Sequence, residues 1–166
     1  MIDIQVLRTV GRRYYSPGDR VLHQPSAAEV ADLLMELCEP SDDPEWWNHG
    51  VVGGPGAPDG VEFMVAPLTG YVALSWTGTA ERSLNPNPFA DAPLLPDNAD
   101  DDPPVYWPRS AYLPPVEAKK ALAEHIVTGA QPTGVQWQPW GFEVRQLPRW
   151  LKSDMPEYSG FHLITD

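Results

Sequence analysis

Residues 61–77 read VEFMVAPLTGYVALSWT, and this stretch sets the fold. Residues 61–66 and 71–77 are rich in β-branched and aromatic side chains, and PLTG between them is too short for anything but a tight connection. The spacing predicts an antiparallel hairpin with Val72, Leu74 and Trp76 on one face. A half-apolar hairpin has to bury that face against another layer, so the flanking segments decide which layer it is.

Upstream, residues 26–38 (SAAEVADLLMELC) predict a helix. Ser26 and Glu29 have the S-x-x-E spacing of a capping box, in which each side chain satisfies a first-turn N–H. Val30, Leu33, Leu34 and Leu37 recur at i, i+3, i+4, i+7 as one buried stripe, and Pro40 stops the helix. Residues 2–8 alternate as a half-buried strand, while the Pro-, Gly- and Asp-rich residues 41–60 read as a loop. Downstream, residues 78–104 are proline-rich and without a period, a long Pro/Asp-rich loop of a length that is usually either functional or disordered. A second helix is expected over 115–128, opened by proline and closed by Gly129, with Ala118, Ala121, Leu122, His125 and Ile126 on its inner face. Residues 133–138 and 142–147 alternate as two more strands, with Trp137, like Trp76, in core phase. The order predicts one α+β domain over 1–166, a mainly antiparallel sheet with two principal helices packed on one face.

The net charge of −12 is unevenly placed. Residues 1–20 balance at +2 and residues 109–166 at zero, whereas residues 21–108 hold fifteen carboxylates and a single base, Arg82. Such a block repels polyanions and anionic membrane surfaces, so neither nucleic acid nor a membrane is expected as a partner. It can instead keep a protein soluble or steer a basic protein partner towards it. Cys38 is the one cysteine and excludes an internal disulfide; the N-terminus lacks a signal-peptide pattern, and no run approaches membrane-spanning length. A cytoplasmic protein is the expectation.

Motifs of catalysis are missing. There is no G-x-S-x-G elbow and no phosphate-binding G-x-x-x-x-G-K-[ST], and the glycines at 53, 54, 56 and 60 miss a dinucleotide fingerprint. His23, His49, His125 and His162 are scattered without metal-ligand spacing. His125 reads as a hydrogen-bonded core residue and Cys38 as a small buried apolar one; His49, in EWWNHG, is the histidine in the most functional setting. The sequence therefore predicts no catalytic residue, no cofactor and no metal, and a protein that is not an enzyme.

Two loops share a composition that suits binding. SDDPEWW places Asp42, Asp43 and Glu45 before Trp46 and Trp47; DNADDDPPVYW places Asp97, Asp100, Asp101 and Asp102 before Tyr106 and Trp107. Tryptophan and tyrosine dominate interface hot spots, and carboxylates around them speed encounter with a cation. These eleven residues are the expected partner-binding set, with one ring of each aromatic pair inside the domain.

Residues 112–138, YLPPVEAKKALAEHIVTGAQPTGVQWQ, resemble the family numbered one among the immunity proteins of bacterial polymorphic toxin systems. The resemblance rests on Pro114 or Pro115, Ala118, Ala121, Ile126, Thr128, Gly129, Pro132, Thr133, Val135 and Trp137, and on the upstream LSWTG ending at Gly78. It implies a non-catalytic inhibitor of a cognate toxin domain, often a deaminase acting on nucleic acid and so carrying a basic groove. Two other readings are an acidic accessory or chaperone-like module for a basic secreted protein, and a hydrolase using His49 with a loop carboxylate.

Overall fold

The computed structural model describes residues 4–10, 20–54, 59–97, 104–145 and 161–164, with 4–10 and 20 given by their backbone path alone. The 61–77 hairpin forms as its alternation dictates. Strands β4 (Gly60–Val65) and β5 (Val72–Trp76) pair antiparallel, with Val61 opposite Trp76, Phe63 opposite Leu74 and Val65 opposite Val72. These six side chains point to one face and are buried. Glu62, Met64, Ala73 and Ser75, the residues between them, necessarily point to the other.

Helices α1 (Ala27–Leu37) and α2 (Pro115–Thr128) cover the first face. The capping box of α1 is complete: Glu29 N–H donates to Ser26 Oγ, and Ser26 N–H donates to Glu29 Oε2 at 2.7 Å. Those bonds hold the Glu29 carboxyl below its usual range. Val30, Leu33, Leu34 and Leu37 meet Ala118, Ala121, Leu122 and Ile126 over the sheet, and each large aliphatic chain so buried contributes about 1.5–3 kcal/mol. Gly129 ends α2 in the left-handed region (φ +69°), where a side chain would be strained. His125 is a core residue, its Nδ1 donating to Ala130 O at 2.9 Å and its ring edge-on to Trp76. Trp137 packs partly buried against the same core.

The main sheet runs in the order β2-β1-β3-β4-β5-β6-β9, every neighbour antiparallel. Its remaining strands are β1 (Ile4–Val10), β2 (Arg20–Leu22), β3 (Asn48–Gly53), β6 (Glu81–Leu84), β9 (Gln136–Pro139) and β8 (Tyr112–Leu113), which adds to β5 at Val72 and Ala73. A small second sheet sets β10 (Phe142–Val144) between β7 (Val105–Tyr106) and a parallel β11 (Phe161–Leu163).

Two segments read as loops contain strands. β3 lies within 41–60 and β6 within 78–104. Neither carries an alternation strong enough to announce itself. β3 is made by ladders to β1 and β4 along its whole length, and β6 by β5 on one side and β9 on the other. Tertiary pairing overrides weak local preference in both. Gly78 leaves room for the Trp76 ring, since a Cβ there would lie 2.7 Å from Trp76 Nε1.

Candidate protein-binding face

Among the described residues no α-helix lies over the second face of the sheet. Its cover is residues 85–97 and 104–113, mostly irregular chain with the short β7 and β8 and a single 3-10 turn (Arg109–Ala111), stitched down by Asn85 N–H to Ser110 O (2.7 Å), Asn85 Nδ2 to Tyr112 O (2.9 Å) and Ser83 Oγ to Ala111 O (2.5 Å). Beneath it lies a minor core of Trp47, Met64, Ala66, Ala73, Ala92, Leu95, Trp107, Ala111 and Tyr112. Each buried polar group bound in this way avoids a desolvation penalty of about 1–3 kcal/mol.

Arg82 sits in the middle of this face. It lies opposite Ser75 in the β5–β6 ladder and is 1% exposed. Its guanidinium carbon lies 3.6 Å from the centroid of the Trp107 ring, with Phe142 at 5.2 Å and Trp140 at 5.5 Å. Nη2 approaches Asp97 Oδ1 at 3.5 Å and Nη1 approaches Glu62 Oε2 at 3.8 Å. Nε and Nη1 make no hydrogen bond among the described residues, so the π faces supply part of what water would have given this cation. Burial pushes the arginine pKa down, and Glu62 and Asp97 pull it back up.

The carboxylates fan outwards from this cation. Asp97 Oδ1 accepts the Trp107 indole N–H at 2.7 Å, and Glu62 Oε1 accepts His49 Nε2–H at 2.7 Å. His49 in turn stands edge-on to Trp107, 6.0 Å between centroids. Both carboxylate side chains keep partial contact with solvent while the arginine has almost none. Burial raises the Asp97 pKa, against the opposing pull of Arg82. A chain of His49, Glu62, Arg82, Asp97 and Trp107 thus ties β3, β4 and β6 to the start of the acidic segment.

The expected partner-binding residues separate into three groups. Asp42, Asp43, Glu45 and Trp46 are on the surface, Trp46 being 38% exposed. Asp97 is partly exposed and Tyr106 half-buried, its backbone paired with Glu143 and bridged to Pro96. Asp100, Asp101 and Asp102 lie outside the described residues. Trp107 and Trp47 are corrections. Trp107 is fully buried and Trp47 nearly so, because one ring lids the Arg82 cation and the other fills the minor core beside Met64 and Ala73. Neither can offer its ring to a partner. One ring of each pair is inside, as the sequence suggested, and in both loops it is the second.

This has a consequence for geometry. Both acid–proline–aromatic loops are rooted by their last tryptophan in the same minor core, so two segments sixty residues apart in the chain emerge beside one sheet face. Neither Glu62 nor Arg82 has a role in the sequence reading. Arg82 is the one base among the fifteen carboxylates of residues 21–108, but that count alone does not place it inside the domain.

Among the described residues no group of three or more His, Cys, Asp or Glu is arranged to hold a metal ion, and no helix is long and apolar enough to cross a membrane. Cys38 is buried, which pushes its thiol up to about 11. No protein-family model, curated protein or solved structure matches this chain.

Proposed function

We propose that this protein is an immunity protein that binds a basic toxin domain, of the nucleic-acid-directed deaminase kind, and neutralises it in the cell that makes it. The observation that carries this reading is the shared rooting of the two acidic loops. Trp47 and Trp107 lie in one buried cluster, which leaves Asp42, Asp43, Glu45 and Trp46 at the surface and starts the second acidic run from a fixed point at Asp97. Carboxylates presented from a rigid base can meet a groove built for phosphates without a large ordering cost on binding. The ion-pair chain around Arg82 supplies that rigidity. Charge gives the encounter and the exposed ring gives residence, because single exposed ion pairs contribute only about 0–1 kcal/mol.

Co-expression is the direct test. A basic toxin domain encoded beside this protein is expected to kill cells alone and to spare them when the two are made together, with a complex of nanomolar affinity in vitro. Continued killing on co-expression of a folded, abundant protein would overturn the immunity reading. Turnover of any substrate by the isolated protein would overturn its non-catalytic part.

A further inference from the structure

The turn between β4 and β5 carries an unexpected side chain at its tip. Leu68, in PLTG, has φ +65°, a backbone region that glycine enters freely and a leucine rarely. Its side chain is 63% exposed. Neither burial nor backbone preference accounts for a leucine here. The turn is held hard: Gly70 N–H donates to Ala66 O at 3.0 Å, Ala66 N–H to Tyr71 O at 2.7 Å, and Leu68 N–H to Ser41 O at 2.9 Å.

That last bond joins the turn to the head of the acidic loop at 41–46. Gly70 is walled by Pro40 on one side and Pro115 on the other, 3.5 and 3.8 Å from where a Cβ would stand. The apolar tip therefore lies where the end of α1, the start of α2 and the acidic loop come together. Exposed carboxylates follow from each: Glu39 beside Pro40, Asp42, Asp43 and Glu45 in the loop, and Glu117 two residues beyond Pro115. Val116 and Trp46 add exposed apolar surface to the same end of the sheet. Behind the turn, Tyr71 stacks on Phe89 at 3.8 Å, and its hydroxyl donates to Asp91.

We infer that Leu68 is the apolar anchor of the docking surface, entering a cleft of a basic partner whose cationic side chains meet the surrounding carboxylates. This rests on reading the protein as the binder of a basic domain, and it names the surface by which it binds. An apolar tip beside the carboxylates of the 41–46 loop, with Lys119 the base near the end of α1, selects a segment that is both cationic and apolar, since a purely cationic one leaves the leucine in water.

Leu68→Gly tests the anchor cleanly, because glycine suits φ +65° and the fold has no other use for the side chain. The probes are an alternating lysine–leucine peptide and an all-lysine peptide of equal charge. The wild-type protein is expected to bind the first about tenfold more tightly than the second, and Leu68→Gly to lose that preference. The melting temperature should stay level or rise. Leu68→Asn, which also tolerates the left-handed region, should behave alike, and Val127→Ala, at an exposed position on α2, should change nothing. Equal binding of both peptides by the wild type, or an unchanged preference in both Leu68 variants, overturns the inference. So does a Leu68-dependent dimer in sedimentation, which would make the occupant a second copy of this chain. Rescue from the toxin that persists undiminished in Leu68→Gly sinks this inference alone, whereas failed rescue with intact peptide preference sinks the immunity reading alone.

Discussion

The two faces of the central sheet are built by different means. The face under α1 and α2 is a layer of aliphatic and aromatic side chains whose periods of two in the strands and about three and a half in the helices agree. The face under residues 85–97 and 104–113 is closed by mostly irregular chain, a buried arginine and three flanking rings. Burial on the first is almost wholly apolar and non-directional. On the second it depends on a cation finding two carboxylates and a π face at once. The face built from loops holds carboxylates at its rim because its core already contains a positive counterpart.

The largest test of this contrast removes one large side chain from each face. Phe63→Ala and Trp107→Ala are both expected to cost about 3–5 kcal/mol in urea unfolding. They should differ in their coupling to Arg82. A double-mutant cycle of Trp107→Ala with Arg82→Met should be non-additive by about 0.5–3 kcal/mol, while Phe63→Ala with Arg82→Met should be closer to additive. Additivity at Trp107 would mean the stacked cation contributes nothing to this face.

Next in size is Arg82→Met alone. Leaving Glu62 and Asp97 without their cation is expected to cost about 1–3 kcal/mol, less than a fully buried broken pair because both carboxylates retain some water. Unfolding near neutral pH checks this, and a stabilised variant would show that the arginine serves specificity and not stability.

The two faces should also respond to pH with opposite signs. In the helix layer, Glu124 accepts N–H and O–H bonds from Thr133 and an N–H bond from Gly134, which hold its carboxyl below the usual range. A lowered folded pKa gives stability that is present above the ordinary value of 4.5 and is lost as pH falls through the folded value. Asp97 is raised above its ordinary 3.8, so its contribution is greatest below that value and is lost as pH rises through the folded one. Melts from pH 3 to about 6 should therefore show wild type gaining on Glu124→Gln as pH rises, and Asp97→Asn gaining on wild type. Parallel curves for either pair would remove that carboxylate from the account.

The smallest structural effect is expected at the rim. Changing Asp42, Asp43 and Glu45 to their amides should leave the melting temperature where it was and slow association with a basic partner. Raising ionic strength from 0.01 to 0.15 M, which shortens the screening length from about 30 to 8 Å, should slow the wild-type rate and narrow the gap. A salt-independent association rate would detach the acidic loops from the encounter.

Sequence alone determined the parts whose instructions are local. The 61–77 hairpin, the capping box and apolar stripe of α1, and the proline-opened, glycine-closed α2 were all legible, since each is specified by neighbours within a turn or a strand. So was the segregation of charge. Only the tertiary structure decided that β3 and β6 exist, that Trp47 and Trp107 turn inwards while Trp46 does not, and that Arg82 is a core residue. Nothing in ERSL or in DDDPPVYW distinguishes those outcomes. The burial of Arg82 is a sum over Glu62, Asp97 and Trp107, groups twenty, fifteen and twenty-five positions away. No single one of them makes desolvating a guanidinium favourable, so the decision could be made only where the chain brings all three together.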